Sequence, residues 1–258
     1  MASLPEHARF AENLCERIKL MKYNSVVVLT GAGISAESGI QTFRASDGLW
    51  ENHRVEDVAS PEGFARDPEL VLNIYNQRRA ALLSPQIQPN PAHEALAELE
   101  REMRSNGQSF LLVTQNIDDL HERGGSVNLR HMHGELLKIR CQACESIEST
   151  KEDTTADSIC SQCGVVGQMR PHVVWFGEMP LYMDEIYQAL ENCDLFLSIG
   201  TSGHVYPAAG FVEVANRAGA ETIEINLEPS AVHSSFDRHV EGKAGEALPS
   251  FVQLLLQS

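Results

Sequence analysis

No stretch of this 258-residue sequence approaches the roughly 20 apolar residues that a helix needs to cross a bilayer. Met1 to Phe10 holds no basic region followed by an apolar run, so no secretory signal is read there, and the expected compartment is the cytoplasm. Basic residues are scarce: 20 Lys and Arg stand against 36 Asp and Glu, for a formal net charge of -16. That balance argues against a nucleic-acid binder, which needs basic surface to meet phosphates. It would suit lysine-rich protein partners, although solubility alone accounts for it. Internal repeats and low-complexity segments are absent. Only six cysteines are present. Cys15 and Cys193 stand alone and are expected to be packing residues.

What is there is an apolar fraction of 43%, enough for a core. Residues 7–21 have the period of an amphipathic helix. Ser25 to Thr30, Phe110 to Thr114, Asp194 to Ile199 and Glu221 to Ile225 read as buried strands. Asp67-Pro68 opens a helix to about Leu83, and Asn90-Pro91 opens another to about Ser105. Further helices are expected from about Pro207 to Ala218 and from about Leu248 onward. Residues 36–60 lack a clear period and read as a long functional loop. Apolar strands alternating with helices predict an α/β fold: a Rossmann-like parallel sheet with helices on both faces.

Gly31-Ala-Gly33-Ile-Ser-Ala36 follows the first strand and fits the dinucleotide fingerprint, in which glycines let the backbone approach a pyrophosphate. A dehydrogenase of the usual kind would close this unit within about 30 residues on an acid ending a second strand. Glu51 lies at that distance, but Glu51-Asn-His-Arg-Val is no buried strand. The next strand begins near Phe110, so the crossover is expanded, and its long loop is a candidate lid or reaction chamber.

Cys141-x-x-Cys144 and Cys160-x-x-Cys163, fifteen residues apart, have four-cysteine zinc spacing, against the alternative of redox pairs. Four thiolates fill the tetrahedron, so such a zinc is structural. The cysteines interrupt the chain between sheet segments, which predicts a small inserted zinc-binding domain over 137–170 and a main domain from 1–136 and 171–258. After the second strand, Thr114-Gln-Asn-Ile-Asp-Asp-Leu-His121 places Gln115, Asn116 and Asp118 where ligand groups gather in open sheets. The plainer reading is an Asn/Asp-rich turn capping the next helix. His133, beside Gly134, is a candidate general base, against an ordinary hydrogen-bonded histidine among ten. On helix 68–83, Val71, Tyr75, Arg78 and Leu82 form one row facing a core or pocket. Arg79 is expected to point into solvent.

Together these segments resemble the sirtuin family, the NAD-dependent protein lysine deacylases. The resemblance rests on Gly31 to Arg44, Thr114 to Asp118, His133-Gly134, the paired cysteines, Pro171 to Glu178, Gly200 to Pro207 and Asn226 to Glu228. It runs from about Val26 to about Ala244 and is most similar to compact bacterial sirtuins that group with class III. Many sirtuins have Pro-Asp where this chain has Gln41-Thr42, so no acid is expected to act on that loop.

The resemblance implies a role for each matching residue. Gly31, Ala32 and Gly33 would cradle the pyrophosphate of NAD, and Phe43 and Arg44 would lie over its reacting end. Gln115, Asn116, Ile117 and Asp118 would hold nicotinamide and its ribose. Gly200, Thr201, Ser202, Asn226, Leu227, Glu228 and Ala244 would hold the adenosine half. His133 would be the base, with Asn116 and Asp118 as its catalytic partners. Val174, Phe176, Gly177, Glu178, Gly203 and Val205 would flank the substrate peptide as added strands. Tyr75 and Arg78 match the class III pair that binds the carboxylate of succinyl or malonyl groups. The implied activity is deacetylation and desuccinylation of lysine-containing proteins, with NAD consumed and nicotinamide and O-acyl-ADP-ribose released. No nucleic acid or membrane partner is expected. Mono-ADP-ribosyl transfer to protein and a non-catalytic NAD-sensing module are the competing functions.

Overall fold

The computed structural model describes residues 23–41, 49–50 and 53–256, with 49–50 as backbone only. The expected helix over 7–21, Cys15, Glu51, Phe43 and Arg44 lie outside the described residues. The strands are β1 Ser25–Thr30, β2 Leu49–Trp50, β3 His53–Arg54, β4 Ser109–Thr114, β5 Leu129–His131, β6 Gly134–Cys141, β7 Ile147–Ser149, β8 Met169–Val173, β9 Leu195–Ile199, β10 Glu221–Asn226 and β11 Arg238–Glu241. The α-helices are α1 Val55–Val58, α2 Pro61–Arg66, α3 Pro68–Leu82, α4 Pro91–Ser105, α5 Leu120–Arg123, α6 Met183–Leu190, α7 Phe211–Ala218 and α8 Ala244–Leu256.

Six strands form one parallel sheet in the order β11-β10-β9-β1-β4-β5. Counted along the chain within this sheet, that is the 3-2-1-4-5-6 order of doubly wound dinucleotide-binding folds, read from the far edge. The strand period of two builds both cores. Val26 and Val28 of β1 pack with Leu96, Leu99 and Met103 of α4 and with Leu248, Phe251 and Val252 of α8. Val27 and Leu29 point the other way, onto Ile186 and Leu190 of α6 and Phe211 and Val212 of α7. Two strands, β5 and β11, escaped the sequence reading. They are the sheet's edges, only 3 and 4 residues long, and carry no apolar run.

Helix starts follow their caps. Asp67 accepts from the Leu70 N–H at 3.0 Å to open α3. Asn90 accepts from the Ala92 N–H at 2.9 Å, while His93 Nδ1 accepts from the Asn90 N–H at 3.2 Å. The side-chain amide of Asn90 also donates to the Ile34 carbonyl at 2.7 Å, fastening α4 to the glycine turn. Helix α8 begins at Ala244, four residues before the expected start, and α7 begins at Phe211 after a 3-10 turn over Ala208–Gly210. The expected loop over 36–60 contains the antiparallel pair β2–β3 and the short helix α1.

The cysteine segment is a separate antiparallel sheet, β7-β6-β8. Its buried cluster holds only Cys141, Cys160 and Met169, with Ile139 and Val165 against it. Helix α3 packs Val71, Tyr75 and Leu82 onto Leu136, Val173 and Trp175. Among the described residues, no helix is long and apolar enough to cross a membrane.

Candidate active site

The site forms where the carboxyl ends of β1, β4 and β9 meet, the switch point at which strand order reverses. The chain leaves β1 into Gly31-Ala32-Gly33 and leaves β9 into Gly200, and the two turns touch. Gly33 N–H donates to the Gly200 carbonyl at 2.9 Å. A Cβ on Gly33 would stand 2.7 Å from Gly200 Cα, and one on Gly31 would stand 2.7 Å from the Gly200 oxygen. Gly200 itself has φ +62°. Side chains at Gly31 or Gly33 would collide with the facing turn, so glycine lets the two backbones meet.

The turn after β4 is knotted to the glycine turn. Asn116 Nδ2 donates to the Gly31 carbonyl and to Ser35 Oγ, each at 3.1 Å. Ser35 Oγ donates to Asp118 Oδ2 at 3.1 Å, and Asp118 Oδ1 accepts from the Leu120 N–H at 3.1 Å. Asp118 thus holds the first N–H of the short helix α5, whose N-cap Asp119 makes no side-chain cap bond, while also facing the glycine turn. Burial pushes its carboxyl above the ordinary aspartate range, and the hydrogen bonds pull the other way. Asn116 and Asp118 are both buried.

Two histidines two residues apart are set to opposite tasks. His131 is buried between two acceptors, with Nδ1 on the Asn116 carbonyl at 3.0 Å and Nε2 on Glu122 Oε1 at 2.8 Å. Burial opposes its charge, but Glu122 outweighs burial and raises its pKa. His133 has Nδ1 on the Gln115 carbonyl at 3.1 Å. A carbonyl only accepts, so Nδ1 carries the proton and Nε2 of the neutral ring holds the lone pair. Burial lowers the His133 pKa, against the Gln115 bond, so the ring is neutral at pH 7. Beneath them His121 is fully buried, with Nε2 against Thr30 Oγ1 at 2.9 Å and its edge against the ring of His93.

The expected adenosine-side residues lie at the ends of β9 and β10. Asn226 Nδ2 donates to the Thr201 carbonyl at 2.7 Å, and Thr201 Oγ1 meets Ser198 Oγ at 3.0 Å. Ser202, Leu227 and Glu228 are exposed. Ala244 opens α8 beside the glycine turn, where the Gly245 N–H donates to Glu37 at 2.7 Å.

The expected peptide-side segments are partly different from the sequence reading. Glu178 turns inward. Its carboxylate grips Arg170 at 2.7 and 3.0 Å, and it accepts from Arg140 at 3.0 Å and from the Trp175 N–H at 2.8 Å. Arg170 lies 3.3 Å from the centroid of the Trp175 ring. The Val174 N–H donates to the His133 carbonyl at 2.8 Å, and the Phe176 N–H to the Ala59 carbonyl at 2.9 Å. Residues 174, 175 and 176 therefore use their N–H groups within the chain. Phe176 and Gly177 are exposed, and Gly203 and Val205 are half-buried.

The reading of helix α3 also changes at one position. Arg79, expected in solvent, is 1% exposed and donates to the Leu136 and Glu152 carbonyls at 3.2 and 3.0 Å and to Asn76 at 2.8 Å. The cysteine segment covers a second side of this helix, which a single-row count does not foresee. Tyr75 is fully buried and accepts from Trp175 Nε1 at 2.8 Å, while Arg78 is half-buried. Ser35, Glu122 and His131 are site residues the sequence reading passed over. Ser35 lay inside the fingerprint, and His131 was masked by the number of histidines.

The four cysteine sulfurs lie within 4.8 Å of one another, with Cys141–Cys163 at 3.8 Å and Cys144–Cys160 at 3.7 Å. Thiolates about 2.3 Å from a tetrahedral zinc stand roughly 3.8 Å apart, so the set is consistent with structural zinc.

Residues 31–207 match the Sir2 family. The chain is 63% identical to a Vibrio cholerae protein named NAD-dependent protein deacylase, over 92% of this chain and 95% of that one. It is similar to a solved Sir2 homologue–NAD complex, with 40% identity, a TM-score of 0.83, and coverage of 95% of this chain and 93% of that one. It is also similar to a mutant Sir2 homologue in complex with 2'-O-acetyl ADP ribose, at 39% identity and a TM-score of 0.82, covering 95% of this chain and 96% of that one.

Proposed function

The chain belongs to the Sir2 family, and from that premise we propose that it is an NAD-dependent protein deacylase that clears acyl groups from lysine side chains of other proteins. The observation that supports this most is the tautomer of His133, whose Nε2 lone pair is fixed by the Gln115 carbonyl at 3.1 Å. A nucleotide-sensing module needs no such base.

When bound, NAD supplies the glycosidic bond that breaks to release nicotinamide and the ribose hydroxyl that receives the acyl group. The bare backbone of Gly31 and Gly33 against Gly200 suits a pyrophosphate, because glycines there let the ligand approach the main chain closely, although the N–H groups of Gly31, Gly33 and Gly200 are themselves bonded within the chain. Gln115, Asn116, Ile117 and Asp118 orient the nicotinamide ribose, with Asn116 held by Gly31 and Ser35. Gly200, Thr201, Ser202, Asn226, Leu227, Glu228 and Ala244 take the adenosine half. His133 Nε2 accepts the proton of the hydroxyl that attacks the acyl carbon. We assign this chemistry to 1–136 with 171–258, and a structural zinc on Cys141, Cys144, Cys160 and Cys163 to 137–170.

The substrate peptide lies between residues 174–177 and 203–205, whose flanks present exposed Phe176 and Tyr206. Because the N–H groups of residues 174–176 are engaged, carbonyls on this segment receive it. The acyl group extends toward Tyr75 and Arg78. Arg grips a carboxylate through two hydrogen bonds and Tyr adds a third, so succinyl is a substrate as well as acetyl. Arg78→Met with Tyr75→Phe should abolish desuccinylation and leave deacetylation largely intact. Equal loss of both activities would make the row structural, and loss of neither would place the carboxylate elsewhere.

The general test is incubation with NAD and acetyl- or succinyl-lysine peptides, read by mass spectrometry. Free-lysine peptide with O-acyl-ADP-ribose supports the deacylase. A protein heavier by ADP-ribose supports the transferase, and unchanged NAD supports a binding module.

A further inference from the structure

Glu224 is a buried carboxylate that the deacylase reading leaves without a task. It sits on β10, between Ile223 and Ile225, and faces the second core beside Phe236. It is 3% exposed. Burying a carboxylate is costly unless a cation or several donors answer it. Among the described residues, its ion-pair partners are two imidazoles and no Lys or Arg. His233 Nδ1 lies 2.6 Å from Glu224 Oε2, and His239 Nδ1 lies 3.5 Å from the same oxygen. Glu224 Oε1 and His239 Nδ1 are both buried and have no hydrogen-bond partner among the described residues.

The chain builds this cluster from three places. Glu224 and His239 are cross-strand partners on the parallel pair β10–β11 and so share one face. His233 comes from the 3-10 turn His233–Ser235 that precedes β11. The two rings are stacked with centroids 3.5 Å apart. One ligand atom from each of the three side chains lies within 4.8 Å of the others.

We propose that Glu224, His233 and His239 form a second metal site, distinct from the four cysteines. Two imidazoles and one carboxylate select a borderline divalent cation of the zinc or cobalt kind, because magnesium and calcium require oxygen ligands. The histidine side chains are 37% and 33% exposed, so water reaches the remaining coordination position. By contrast, the cluster of Glu122, His131 and Glu135 carries no such reading, since it offers one imidazole only and its Glu122 is exposed. A cation at Glu224 would tie the edge strand β11 to β10 and to the turn before it. That turn is already joined to the β9 loop through the Ala231 N–H and the Ser202 carbonyl at 2.9 Å.

The test is calorimetric titration of zinc chloride, and separately cobalt chloride, into the protein carrying its thiolate-bound metal, with metal content per chain measured after dialysis. One further equivalent is expected, together with a rise in melting temperature. Glu224→Gln and His233→Gln should each weaken that equivalent by at least roughly tenfold, the loss usual for even an outer partner of a metal site. Cysteine-bound metal and the metal-free melting temperature serve as fold controls, and His233, on an exposed turn, is the substitution that perturbs packing least. Absence of any equivalent beyond the cysteine site, or one retained at full affinity by folded Glu224→Gln or His233→Gln, would overturn the proposal.

Discussion

The cysteine insert and the pocket at the head of the parallel sheet both join segments far apart in the chain, but opposite means hold them. In the pocket, Gly31, Ser35, Asn116, Asp118 and His133 are fixed by hydrogen bonds resting on two apolar cores. The insert has almost no core, and Ile147, Ile159 and Val166 are exposed on it. In place of a core it gathers four sulfurs within 4.8 Å of one another, an arrangement consistent with one shared structural zinc. The difference predicts that the main sheet keeps its order when the insert loses its metal, and that the insert does not.

The largest effect that would sharpen this contrast is metal removal. Structural zinc binding contributes on the order of 10 kcal/mol or more, all of it folding energy for a segment with so little core. Strong chelation, or Cys141→Ser, should abolish amide-exchange protection across 141–169 while β1, β4 and β9 keep theirs. Uniform loss across the chain would break the comparison.

Next in size is Arg79, which ties α3 to the insert side through the Leu136 and Glu152 carbonyls. Arg79→Met leaves those carbonyls and Asn76 without their donor and should cost about 4 kcal/mol, measured by urea unfolding. Arg78→Met should cost under about 1 kcal/mol in the same assay.

A smaller effect separates the pocket by pH. Burial lowers His93 to about 4 and holds His121 well below the ordinary histidine range. The unfolded chain therefore takes up these protons first, and stability falls as pH drops from about 6.5 toward 4, by about 3 kcal/mol for His93 alone. His93→Gln should flatten that acid slope. His131 has the opposite sign: its raised pKa contributes stability that is full below about 6.5 and is lost as pH rises through the folded value. His131→Asn should remove only this smaller alkaline loss, read from melting temperatures between pH 6 and 9.

The two regions were also unequally legible. The cysteine spacing announced a metal site because zinc geometry demands pairs, and the glycine turn was plain because it directly follows a buried strand. The helix starts at Asp67 and Asn90 were readable because their caps act within three residues. What stayed hidden depends on contacts from elsewhere in the chain. β5 and β11 are strands only because β4 and β10 offer an edge. Arg79 is buried because the insert covers a second side of α3, which a single helical row does not encode. Apart from the neighbouring Gly134, nothing in the local sequence separates His131 from His133. The Asn116 and Gln115 carbonyls and Glu122 do that.

The central claim is that the neutral, tautomer-fixed His133 is the base of an NAD-consuming deacylation. The most direct measurement pairs wild type with His133→Ala in an assay that follows nicotinamide release and deacylated peptide together, with NAD binding measured separately. The account predicts equal amounts of the two products for wild type. It predicts a loss of about 10²–10⁴ in rate for the variant, with NAD affinity and melting temperature unchanged. A variant within a few-fold of wild type, still folded and still binding NAD, would contradict it.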